Sequence, residues 1–130
     1  MSNQNGPKFL RPCLVKQFVA QGLIAYTPAS GYAFLFGETF RLSFRQDQCF
    51  EALWENLFRG NLPMRQSAIL AYTEDAKSKH LADIFKRNPA WRKWIRGDGK
   101  GGYWLSVPDW AIGNVPESPS EIRVQLQPTR

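Results

Sequence analysis

Lysine and arginine crowd one stretch of this chain. Between residues 77 and 100 stand Lys77, Lys79, Lys86, Arg87, Arg92, Lys93, Arg96 and Lys100, against only Asp83 and Asp98. These eight bases and two acids hold the whole formal charge of +6, because the other nine bases are matched by nine acids. Charge concentrated in this way attracts polyanions and speeds their capture, since each ammonium or guanidinium can neutralise a phosphate and release its counterion. The plainer reading of the same run is a solvated helix face carrying spare lysines.

Other chemistries find little to work with. His80 is the single histidine, and no Gly-x-Ser-x-Gly elbow or Walker loop is present. Glu51 and Glu55 stand one helical turn apart, a spacing at which exposed carboxylates are ordinarily just solvated. Residues 97–102 are glycine-rich, but the run leads from one strand pattern into another, without the helix N-terminus that makes a phosphate cradle. Cys13 and Cys49, with one histidine, cannot complete a four-ligand zinc site without carboxylates, and no metal-ligand spacing occurs. Both cysteines sit among apolar neighbours and read as reduced core thiols. The expectation is therefore a protein without catalytic residues, metal or cofactor, and not an enzyme.

The surroundings of the basic run are those of a packed domain. Of 130 residues 43% are hydrophobic and 14% aromatic, enough apolar mass to exclude a disordered chain. No apolar run approaches the roughly 18 residues of a membrane helix. Residues 1–7 are polar and do not follow the order of a signal peptide, so an intracellular setting, cytoplasm or nucleoid or nucleus, is expected, and secretion is not. The chain divides into an arm at 1–7, a single domain at 8–113, and a tail at 114–130. Pro116 and Pro119 mark the tail's start as a linker, and Ile122, Val124 and Leu126 alternate like a short strand.

Within the domain, Pro12, Leu14, Val15, Phe18 and Val19 have the spacing of a helix ending near Gly22. Residues 31–43 read as a hairpin with Tyr32, Phe34 and Phe36 on one side, Gly37-Glu38 at the turn, and Phe40 and Leu42 on the return strand. Ser43 and Gln46 form the Ser-x-x-Gln capping box of a helix carrying Cys49, Phe50, Leu53, Trp54, Leu57 and Phe58, stopped by Gly60. Pro63 marks a second helix through Gln66, Ala68, Ile69 and Leu70. A third follows the polar junction at Thr73, Glu74 and Asp75. It turns Leu81, Ile84 and Phe85 inward and Lys79, His80, Asp83 and Lys86 outward, and it ends at Asn88-Pro89. A further turn, residues 90–94, sets Trp91 and Trp94 on one side and exposes Arg92 and Lys93. Residues 95–105 then form a hairpin with Asp98-Gly99 at its tip.

A helix pair, a basic third helix and a hairpin with a basic tip is the order of a winged helix-turn-helix. The expected fold class is α+β, with an N-terminal β-hairpin and a C-terminal wing hairpin. From about Tyr32 to Val107 the chain resembles the winged-helix effector domains of OmpR/PhoB-type transcriptional regulators. The likeness is carried by the opening hairpin, Phe34 to Leu42, and by Ile95-Arg96-Gly97 and Gly102-Tyr103-Trp104-Leu105 in the wing. The wing tip is longer than in that family, and Trp104 stands where the family favours arginine. Lys100-Gly101-Gly102-Tyr103-Trp104 is also similar to the wing of forkhead domains.

The resemblance implies a small transcriptional regulator with the helix at residues 78–87 in the DNA major groove and the wing against the backbone or minor groove. Lys79, His80, Asp83 and Lys86 would then reach base edges, with Lys77 in the same basic segment, and Asp83 would either accept a hydrogen bond from cytosine or, the favoured role, brace Lys79 or Arg87. Arg87, Arg92, Lys93, Arg96 and Lys100 would hold phosphates. Double-stranded DNA is favoured over RNA as partner, and a homodimer or a protein partner fits a module of this size. RNA would gain ground if Tyr103 and Trp104 were free to stack on bases. The alternative is a protein-interaction module without direct DNA binding, which gains if Trp91, Trp94, Trp104 and Trp110 lie exposed in one patch.

Overall fold

Pro12 opens the first helix. In the computed structural model, which describes residues 9–73 and 80–113, α1 spans Pro12–Ala20 and ends just before Gly22, as its spacing predicts. Val15 and Phe18 are fully buried on its inner face. Cys13 lies two residues from Val15, about 200° round the helix, and is exposed. The expectation of two core thiols therefore holds only for Cys49. The arm at 1–7 and the tail at 114–130 lie outside the described residues.

Three antiparallel strands follow in the order β1-β2-β3: β1 at Ile24–Tyr26, β2 at Tyr32–Leu35 and β3 at Glu38–Arg41. The hairpin is where the sequence puts it, and β1 is an addition. Leu35 pairs with Glu38, so the turn is Phe36-Gly37, one residue earlier than Gly37-Glu38. Both turn residues have positive φ, +46° and +94°, as a two-residue primed turn requires. A phenylalanine is strained in that region. Its ring is held there by Phe18 at 5.4 Å edge-on and by Trp94 stacked at 5.9 Å. The buried face of the hairpin is Ala33, Leu35 and Phe40, with Leu42 beyond; Tyr32 is exposed. Of the residues read as one alternating set, Phe40 and Leu42 turn inward, whereas on β2 the inward residues are Ala33 and Leu35, because successive side chains of a strand face opposite sides of the sheet.

Ser43 caps α2, Phe44–Phe58, with both halves of the capping box formed. Cys49, Phe50, Leu53 and Leu57 from the predicted stripe are buried, while Trp54 and Phe58 pack at its margin. Asp47 is a buried carboxylate on the same helix. It accepts the Tyr26 hydroxyl at 2.5 Å and the backbone N–H groups of Ala29 at 2.8 Å and Gly31 at 2.7 Å. These bonds satisfy a charge that would otherwise be costly to bury, and they seat the first sheet on the central helix.

After α2 come β4 at Met64–Arg65, α3 at Gln66–Leu70, α4 at Leu81–Ile84, β5 at Ile95–Gly97, β6 at Gly102–Leu105 and α5 at Asp109–Gly113. The second sheet is antiparallel in the order β4-β6-β5. Pro63 does not begin a helix: Met64 and Arg65 pair with Tyr103 and Gly102, and the helix waits until Gln66. Local helix preference yields here to a strand edge supplied from forty residues away. Gln66 ties the pieces together, its N–H donating to the Gly101 carbonyl and its Oε1 accepting the Leu81 N–H.

The third helix is shorter than expected. His80 is extended and serves as the N-cap of a single turn that begins at Leu81, and residues 78 and 79 of the expected helix lie outside the described residues. It ends at Ile84 with Phe85 as its C-cap, and the chain then turns left-handed at Arg87, φ +69°, before the Asn88 side chain bonds to backbone ahead of Pro89. Leu81, Ile84 and Phe85 are buried as predicted, and His80, Asp83 and Lys86 are exposed. Lys77 and Lys79 lie outside the described residues. Among the described residues no helix is long and apolar enough to cross a membrane.

Candidate nucleic-acid interface

The basic segment is held to the core by aromatic rings and carries its charges outward. Trp91 stacks on Phe85 at 6.0 Å with ring planes 13° apart, and the Tyr103 ring packs against it at 5.7 Å. Trp94 is buried against Phe36. The Trp94 N–H and the Ile95 N–H both donate to the Ala90 carbonyl, and the Arg92 N–H closes on Ile95 O. Between these anchors Lys86, Arg87, Arg92 and Lys93 are exposed and Arg96 is half-buried. Arg87 and Arg92 have φ of +69° and +74°, turning the chain at two positions where an asparagine or glycine would sit with less strain.

Asn88 joins this segment to the first sheet. Its amide nitrogen donates to the Arg41 carbonyl and to Gln46 Oε1, both at 2.9 Å, and its side-chain oxygen accepts the Ala90 N–H at 2.8 Å. Gln46 Nε2 donates to the Ile84 carbonyl at 3.0 Å. A residue that reads from sequence only as half of a capping box thus also braces the basic loop. The two amides bring Arg41 beside Lys86 and Arg87 along an open cleft of about 420 Å³. Arg41 is absent from the sequence-derived site. Its only local signal is an exposed position opposite Tyr32, over whose ring its guanidinium carbon lies at 5.7 Å.

A second open cleft, of about 500 Å³, is lined by Trp91, Arg92, Ile95, Arg96, Tyr103 and two glycines of the wing, Gly97 and Gly99. Arg96 Nη1 donates to the Arg92 carbonyl at 2.9 Å, which fixes the guanidinium along the loop. The wing tip is organised by Asp98. Its Oδ1 accepts the N–H groups of Lys100 at 2.7 Å and Gly102 at 3.0 Å, and these bonds hold its carboxyl below the usual range. The acid is thereby committed to shaping the turn, and the Lys100 side chain is exposed.

Lys93 is diverted. Its ammonium meets Glu38 Oε2 at 2.8 Å, and with the Trp94 indole it holds the Glu38 carboxyl below its ordinary value. His80 and Asp83 are exposed at the start of α4, on a single helical turn that offers fewer side chains to a groove than the expected helix at 78–87.

The aromatic residues do not form a free surface. Trp94 and Trp104 are 8% and 4% exposed, Trp91 and Tyr103 are half-buried against each other, and of the four tryptophans in question only Trp110 is exposed. The rings anchor the wing. The chain matches no family model, no curated protein and no solved structure.

Proposed function

We propose that this protein binds double-stranded DNA as a winged-helix module, gripping the backbone through residues 86–96 and the wing. The observation that carries the reading is topological. The order α2-β4-α3-α4-β5-β6, with its second sheet arranged β4-β6-β5, sets a glycine-tipped hairpin beside a helix pair, and exposed cations run from the end of α4 to the hairpin tip. Lys86, Arg87, Arg92, Arg96 and Lys100 neutralise phosphates in this reading, and each contact adds about 0.9 to the salt slope of binding. Because α4 is one turn long, contacts to the backbone outweigh contacts to base edges, and sequence discrimination is modest. An intracellular regulator that occupies DNA near a promoter is the role this supports.

The burial of Trp94 and Trp104 removes the exposed tryptophan patch that would have favoured the protein-interaction alternative. It also leaves no free stacking platform on the wing for single-stranded RNA.

Fluorescence-anisotropy titration of mixed duplex DNA at several salt concentrations tests the proposal. The variant combines Lys86→Ala, Arg87→Ala, Arg96→Ala and Lys100→Ala. The expected result is wild-type binding that weakens steeply with salt and is lost in a variant whose circular dichroism is unchanged. Absence of wild-type binding at low salt would reject it.

A further inference from the structure

Resting on that reading, we propose that the cleft between the end of β3 and residues 86–89 is a seat for one DNA backbone phosphate, gripped by Arg41 together with Lys86 and Arg87. This extends the interface from the basic segment onto the first sheet, which no feature of local sequence assigns to binding.

Three observations carry it. The first is the composition of the cleft: its charged lining residues are Arg41, Lys86 and Arg87, all cations, with the Thr39 hydroxyl nearby. A single phosphodiester carries one negative charge and two free oxygens, which suits two or three convergent donors. The second is rigidity. Asn88 and Gln46, the remaining polar lining residues, are engaged with backbone and with each other, so they position the arginine-bearing chains and are not ligands themselves. Arg41 is steadied further by the Tyr32 ring beneath it, and a guanidinium partly preorganised by an aromatic face loses less freedom on binding.

The third is the backbone of Arg87. At φ +69° a glycine would relieve strain, yet the position bears a long cationic side chain aimed at solvent. Stability and binding therefore make opposite demands on this residue, and that opposition can be measured. If Arg87 only shaped the turn, glycine would serve as well or better.

The test uses the full chain and the duplex titration described above, with thermal melts of every variant. Arg41→Ala should weaken duplex binding about five- to tenfold and lower the salt slope by about 0.9, with the melting temperature unchanged. Arg87→Gly should raise the melting temperature while weakening binding by a similar factor, a combination that a structural role does not produce. Wild-type affinity and slope in Arg41→Ala, with binding still lost on replacing Arg96 and Lys100, would overturn the seat and leave the interface standing. Failure of the wild type to bind DNA at any salt would overturn both. Saturable binding of inorganic phosphate alone, lost in Arg41→Ala while DNA binding is unaffected, would reassign the cleft to a small free anion and overturn the proposal.

Discussion

The indole N–H of Trp94 donates to Glu38 Oε1 at 2.5 Å, across the junction between the first sheet and the basic loop. The other carboxylate oxygen takes the Lys93 ammonium, so one acid both anchors the loop and withdraws a cation from the surface. This arrangement depends on the turn falling at Phe36-Gly37, which leaves Glu38 in the strand with its side chain free to reach across.

Glu38→Gln should tighten DNA binding. The amide oxygen still accepts the Trp94 N–H, while Lys93 is released to meet a phosphate, so the salt slope should rise by up to about 0.9. Protonation of Glu38 acts on the same contact. Its pKa is depressed in the folded state, so its contribution to stability is present above the unfolded value and is lost as pH falls through the folded one. Denaturant titrations on the acid side of pH 5, comparing wild type with Glu38→Gln, should show the shallower pH dependence in the variant.

Tyr26 supplies an alkaline counterpart. Burial, then its hydrogen bond to Asp47, raises the phenol well above its usual value. The folded state keeps a proton that the unfolded chain releases near pH 10, so stability is intact below that pH and falls as pH rises beyond it. Tyr26→Phe removes this alkaline loss. At neutral pH it costs about 1–2 kcal/mol, because the buried Asp47 carboxylate loses a donor. Urea melts at neutral and at alkaline pH measure both effects, and absorbance near 295 nm follows the phenol.

The two thiols should differ sharply in reactivity. Cys13 is exposed on α1, whereas Cys49 is fully buried and burial pushes its thiol up to about 12. A thiol-exchange reagent such as Ellman's should titrate one cysteine quickly in the native protein and the second only after denaturant is added. Cys13→Ser should abolish the fast phase and leave the melting temperature unchanged.

Gly102→Ala probes the wing. A Cβ there would lie 2.7 Å from Asp98 Oδ2 and 2.9 Å from the Pro63 Cβ, so β6 must shift away from either the tip or β4. The expected cost is about 1–3 kcal/mol. Amide exchange should quicken at Arg65 and across β5–β6, and slow-exchanging amides of α2 should fall only with the global stability.

Much of this protein was legible locally. The Ser43 and Gln46 cap, the apolar stripe from Cys49 to Leu57, the end of α1 near Gly22 and the glycine-rich reversal between β5 and β6 each rest on residues within one or two turns of each other. Signals of that range are complete in the sequence, because the groups that satisfy them are its own neighbours. The concentration of charge between residues 77 and 100 is a property of the composition and needs no contact to be read.

The tertiary structure decided what depends on a distant partner. Alternation alone allowed either face of β2 to turn inward, and packing into the common core took Ala33 and Leu35 over Tyr32 and Phe34. Met64 and Arg65 became strand because β6 offers an edge there. Arg41 joined Lys86 and Arg87 because the Asn88 amide spans 47 positions of sequence to reach its carbonyl. The amino-acid sequence by itself determined which segments could bury their faces and where the positive charge lies. Packing determined which faces they bury and which cations share a cleft, since a hydrogen bond or an apolar contact between remote residues forms only once both sides are in place.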